Sequence, residues 1–136
     1  MPNHWVLKTE PTSYSYDDLE RDGHAVWDGV KNPVALRNLR TMAKGDQLLI
    51  YHTGDEKAVI GLARVTREAY PDPQHQEGNL VVVEIAPVKR LRRPVPLAEI
   101  RKDKTFATIA LVRAPRLSVV PADERQWKRL LELGGA

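Results

Sequence analysis

Aromatic and hydrogen-bonding residues crowd the first half of the chain. Trp5, Tyr14, Tyr16, Trp27 and Tyr51 lie there among Glu10, Asp28, Asn32 and His52, while Phe106 and Trp127 are the only Phe and Trp further on. Aromatic faces stack on flat heterocycles, and amides, hydroxyls and carboxylates beside them can read a polar edge. Such a pocket needs neither a metal nor a nucleophile. The stretch WDGVKNPVALRN, residues 27 to 38, concentrates these groups. Two readings of its tryptophan compete. The indole is either a plug for the core, the usual place for tryptophan, or one wall of a pocket at a turn leading into a helix.

Other chemistries find little support. No Gly-x-Ser-x-Gly elbow occurs, and Ser13, Ser15 and Ser118 have no histidine beside them in sequence. The four histidines lack paired ligand spacing and the chain has no cysteine, so no metal site, disulfide or thiolate is expected. Glycines follow neither the phosphate-loop nor the dinucleotide pattern. Asp17, Asp18, Glu20 and Asp22 read as the solvated face of a short helix. The expectation is a protein without catalytic residues or cofactor, not an enzyme.

The elements that must position the aromatics can be read from pattern and punctuation. HWVLKTEP (4 to 11) alternates into a proline stop as a first strand. Ser15 and Asp18 have capping-box spacing for a helix that Gly23 closes. Asn32 can cap a second helix with Pro33 at its first position, and Ala35, Leu36, Leu39 and Met42 give it an apolar face. Strands follow at 47 to 53, 58 to 70 and 80 to 91, the first two joined by a hairpin through TGDEK. Residues 70 to 79 form a polar loop, PLAEIRKD a short helix and RLSVVP (116 to 121) a last strand. ADERQWKRLLELGG ends the chain as an amphipathic helix. Gly61 inside a long strand suggests a bent sheet closing towards a barrel. The fold class expected is α+β, a small bent sheet or pseudo-barrel surrounded by short helices.

A length of 136 residues suits one domain, 1–136, and 42% hydrophobic residues suffice for a core. No apolar run approaches the roughly 18 residues of a membrane helix. The start Met1-Pro2-Asn3-His4 lacks signal-peptide features, so a cytoplasmic, monomeric protein is expected. Net charge is +3, yet residues 87 to 116 hold nine Lys or Arg against Glu99 and Asp103, a surplus of seven that leaves the remainder at −4. A basic segment on a mildly acidic body points to an anionic partner or is simply a solvated face.

HWVLKTEP, YSYDDL, WDGVKN, ALRNLRTMAKGD, LLIYHT, IGLARVTREAYPDP, RPVPLAEI and RLSVVP occur in this order, and together they resemble the EVE domain, a branch of the PUA-like superfamily. The resemblance spans His4 to about Leu133. It implies a pseudo-barrel sheet and a non-enzymatic reader that takes a modified, methylated or hydroxymethylated base of DNA or RNA into a pocket. Carried over motif by motif, it implicates Trp27, Asp28 and Gly29, then Asn32, the run Lys8 to Pro11 that includes Glu10, the pair Tyr51 and His52, and Arg116 to Ser118. Pro33 and Pro115 depart from the family pattern. The site expected has Trp27 and Tyr51 stacking on the base while Glu10, Asn32 and Ser118 read its edge. Asp28 serves as a turn cap or a ligand group, and His52 as a ligand group or a structural histidine. Arg113, Arg116, Arg90, Arg92 and Arg93 would hold phosphates. The competing expectation is a small-molecule sensor holding a free modified nucleoside or another planar metabolite.

Overall fold

The computed structural model describes residues 3–75 and 78–136. Its strands are β1 (His4–Thr9), β2 (Ala25–Trp27), β3 (Gln47–His52), β4 (Ala58–Pro71), β5 (Val81–Pro96) and β6 (Val119–Ala122). Its α-helices are α1 (Tyr16–Asp22), α2 (Pro33–Thr41), α3 (Leu97–Lys102), α4 (Ala110–Arg113) and α5 (Glu124–Leu133). All six strands form one mixed sheet in the order β2-β5-β4-β3-β1-β6, parallel only between β1 and β3. Register shifts at Ile50/Tyr51 and at four points along β4 and β5 bend it. This is the α+β architecture expected. Among the described residues, no helix is long and apolar enough to cross a membrane.

Local chemistry fixes the helix ends. Ser15 and Asp18 form the capping box of α1, and Gly23 closes it at φ 70°. Asn32 accepts from the backbone N–H groups of Val34 and Ala35 at the start of α2, with Pro33 at the first position. Asp123 and Gln126 cap α5 in the same reciprocal way. Each such cap is worth about 1 kcal/mol.

Successive residues of the central strands feed two separate cores, one on each side of the sheet. Trp5, Leu7, Leu48, Ile50 and Val119 join Tyr16, Trp27 and Leu36 on one side. Val6, Leu49, Tyr51 and Val120 join Phe106, Trp127 and Leu130 on the other. Gly61 lets the first core close. A Cβ there would come within 2.4 Å of the Tyr16 ring, whose hydroxyl donates to the Leu62 carbonyl at 2.6 Å.

Three differences from the sequence reading matter for function. Residues 25 to 27 are a strand, paired antiparallel to β5 with Trp27 opposite Val83, so the tryptophan ends an edge strand before the turn to α2. The last strand starts at Val119, which leaves Ser118 in the bend before it. The long β4 reaches Pro71, so the polar loop is shorter than 70 to 79; its Gln76 and Glu77 lie outside the described residues. Three residues are too few for the alternation that announces a strand, which is why β2 escapes a pattern reading.

Candidate functional site

A cleft of about 900 Å³ opens where the end of β1, the turn after it, β2 and the turn before α2 meet. Lys8, Thr9 and Glu10 come from the first of these, Ser13 and Tyr14 from the second, and His24 to Val30 from β2 and the residues on either side of it. Asp22 and Ser118 complete the lining. Glu10 begins the turn because its carbonyl accepts from the N–H groups of both Ser13 and Tyr14 at 2.9 Å. Thr9 Oγ1 donates to the Tyr14 carbonyl at 2.6 Å and pins the far side. Gly29 carries the chain back at φ 77°, where a β-carbon would be strained.

Trp27 is both plug and wall. It is only 8% exposed and belongs to the first core, yet it lines the cleft. The ring of Tyr14 meets it edge-on, centroids 6.3 Å apart at 82°. Its indole N–H has no partner among the described residues, and it is not sealed from solvent. Trp5 behaves differently: its indole N–H donates to the buried Asp46 carboxylate at 3.1 Å, as expected of a core residue.

Charge in the cleft is mixed. The Tyr14 hydroxyl donates to Asp22 at 2.9 Å, and burial together with that bond raises its pKa to about 12. Burial pulls the Lys8 ammonium below the usual lysine value, and it donates to the Pro115 carbonyl at 2.8 Å. Glu10 is exposed and accepts from the hydroxyls of Thr12 and Thr53, each at 3.2 Å. His24 Nε2 donates to Glu84 at 2.9 Å. Three carboxylates thus border the cleft, those of Glu10, Asp22 and Asp28. Such a rim favours a neutral ligand with amino donors over a bare phosphate. Among the described residues, no three or more His, Cys, Asp or Glu are grouped to hold a metal ion.

Of the residues singled out in the sequence, the structure gathers Trp27, Glu10, Asp28 and Ser118 around this cleft. Tyr51 lies elsewhere. It packs in the second core and borders a different depression, because neighbouring strand positions face opposite sides. His52 is a structural histidine: its Nε2 accepts from the Tyr16 N–H at 3.0 Å, so Nδ1 carries the proton it donates to Glu56 at 2.7 Å. Both members of the pair are buried because the sheet is covered on both sides, not on one. Asn32 spends its side-chain oxygen on the α2 cap and borders an apolar groove with Val34, Pro115 and Arg116. That cap also occupies the first free N–H groups of α2.

None of the five arginines assigned to phosphates lines the cleft. Arg90 is bound by Asp17 and Glu20 of α1 and lies over the Tyr16 ring. Arg93 donates to the Leu133 carbonyl, Arg92 packs its stem against Gly135, and Arg113 donates to the Ala107 carbonyl. The strand β5 therefore uses much of its charge to fasten its neighbours. Ser13, Tyr14, Asp22 and His24 line the cleft although the sequence reading gave them no role in it. Tyr14 offered a signal in the Tyr-Ser-Tyr run before a helix cap; the others come together only through the sheet.

The EVE domain family model matches residues 3–133. The chain belongs to the EVE domain family. Human thymocyte nuclear protein 1 is 28% identical to this EVE domain over 98% of the chain and 74% of the relative. A structure from Rhodopseudomonas palustris is 36% identical, with a TM-score of 0.92 and coverage of 98% of this chain and 93% of that one. The structure of human thymocyte nuclear protein 1 in complex with DNA containing 5-methylcytosine has a TM-score of 0.91 at 26% identity, covering 98% of both chains. The fold is accordingly the PUA-like one that the motifs implied.

Proposed function

We propose that this EVE domain binds DNA carrying a modified cytosine, holds the extruded base in the Trp27 cleft and performs no chemical step. One observation carries the proposal: a nearly buried tryptophan lines an open cleft, and its indole N–H has no partner among the described residues and is not sealed from solvent. Buried tryptophans ordinarily bond that group within the protein; here it is left to solvent, and an acceptor on a ligand would take the place of water. Cytosine offers ring and carbonyl acceptors beside an exocyclic amino donor. Glu10 or Asp28 would accept from the amino group while Trp27 donates to an acceptor. The apolar sides of Ala25 and Val30 suit a methyl substituent. The complex of human thymocyte nuclear protein 1 with 5-methylcytosine DNA supports the same ligand class for a relative.

Extruding a base costs a few kcal/mol, and each aromatic contact returns about 1–3 kcal/mol. Discrimination then resides in the cleft and affinity in the backbone contacts. The test is a titration of matched DNA strands with cytosine or 5-methylcytosine at one position, at 50 and 200 mM salt, with an RNA strand and the free nucleoside alongside. Tighter binding of the modified DNA with steep salt dependence is expected. Equal affinity for both strands contradicts the proposal. Salt-insensitive binding of the free nucleoside alone would favour a metabolite sensor, and preference for the RNA strand would change the polymer.

A further inference from the structure

The three carboxylates around the cleft pose a problem for a polyanion: a base can enter, but its phosphates must be held elsewhere. A second depression of about 270 Å³ adjoins the first and is bordered by Lys8, Tyr51, Thr53, Lys57 and Arg101. Lys8 belongs to both linings, and Thr53 bonds to Glu10 of the cleft. Among the described residues its lining holds three cations and no carboxylate, with the Glu10 carboxylate beside Gly54 at its edge. We infer that it is a phosphate site, gripping the DNA backbone beside the extruded nucleotide.

Three features support this beyond the sum of charge. First, Lys57 and Arg101 form no ion pair or hydrogen bond through their side chains among the described residues, in contrast to Arg90 and Arg129. Second, Tyr51 is 4% exposed, yet its hydroxyl has no partner among the described residues and is not sealed from solvent. A phosphate oxygen would accept from it. The charge of Arg101 acts on this hydroxyl, opposing the upward pull of burial on its pKa. Third, Lys57 sits at φ 45°, a left-handed conformation that glycine or asparagine adopts at lower cost. Its carbonyl accepts from the Leu97 N–H at 2.8 Å, which holds the strained turn in place. What a lysine adds at that position is its ammonium. Lys8 contributes as well, its ammonium over the Tyr51 ring at 5.9 Å from the ring centre.

This inference rests on the DNA-binding reading, but the two can fail separately. The test compares Lys57→Gly, Arg101→Ala and Tyr51→Phe with wild type on duplexes whose one strand carries cytosine or 5-methylcytosine, across a salt series. Each lost phosphate contact removes about 0.9 from the slope of log affinity against log salt on duplex DNA. Between 50 and 200 mM that is a change of about 3.5-fold in the affinity ratio. Lys57→Gly and Arg101→Ala are each expected to show it, equally for both duplexes, and Tyr51→Phe to weaken binding of both duplexes without altering the slope. Lys57→Gly also removes the backbone strain, so its melting temperature should not fall, which separates lost binding from lost folding. Unchanged affinity and slope in both charge variants, while wild type still prefers the modified strand, would overturn the phosphate site alone. Loss of slope with no preference for the modified strand would instead overturn the base cleft alone. Failure of the wild type to bind any DNA overturns both.

Discussion

Trp27 and Tyr51 are matched in burial and opposed in surroundings. The indole closes the first core and looks onto a cleft rimmed by carboxylates, whereas the phenol closes the second core and looks onto a depression lined by cations. Each keeps a donor without a partner among the described residues. The contrast divides recognition between two regions: the acidic cleft suits a neutral base, and the basic depression suits a backbone phosphate. Lys8, common to both, lies at the boundary.

The harshest way to break this comparison is Trp27→Ala. Removing a buried indole should cost about 3–5 kcal/mol in denaturant unfolding. Trp27→Phe keeps an aromatic ring in the core while removing the N–H together with part of the indole's volume. It should retain the fold and lose preference for modified DNA; a phenylalanine variant with undiminished preference would detach the indole donor from recognition. The equivalent change at the other site, Tyr51→Phe, should leave the preference ratio intact.

Gly61→Ala comes next. Its new methyl would meet the Tyr16 ring, and overpacking of this kind costs about 1–3 kcal/mol. Only the first core should loosen early, visible as faster amide exchange in α1 and β4 than in α5. Uniform loosening would show that the two cores are one cooperative unit.

Alkaline pH acts on the same side. Tyr14 and Tyr16 both have pKa values raised to about 12, burial being the first cause in each, so the folded chain holds their protons more tightly than the unfolded chain. The stabilisation is complete below pH 10 and is lost as pH rises through about 12. Denaturant midpoints should fall across that window, and less so in Tyr14→Phe. The smallest effect belongs to Arg90→Ala. Its exposed ion pairs are worth under about 1 kcal/mol, and DNA affinity should stay within twofold of wild type because its charge is occupied by Asp17 and Glu20.

The sequence was most legible where structure is local. Capping residues announced α1 and α2, an amphipathic pattern announced α5, and alternation announced β1, because all three depend on neighbours a few residues apart. The motif series brought the family and half of the cleft. What could not be read is which side of the sheet each residue faces once both sides are covered. Tyr51 and His52 look like a pocket pair on one strand, yet the first turns to the second core and the second binds the α1 backbone. The basic run, which includes Arg101 of the second depression, was legible only in part for a related reason. Counting charge along the chain cannot tell that Arg90 is already paired across 70 or more residues, while Lys57, outside the run, is free of ion pairs among the described residues.

The central claim is that the Trp27 indole donates to a base. Nitrogen-15 NMR of the indole N–H groups tests it directly, since the chain has three tryptophans and Trp5, bonded to Asp46, serves as an internal reference. Adding a strand with one 5-methylcytosine should move the Trp27 resonance strongly and leave that of Trp5 in place, with a weaker shift for the unmodified strand. A Trp27 signal unmoved at saturating modified DNA would contradict the account.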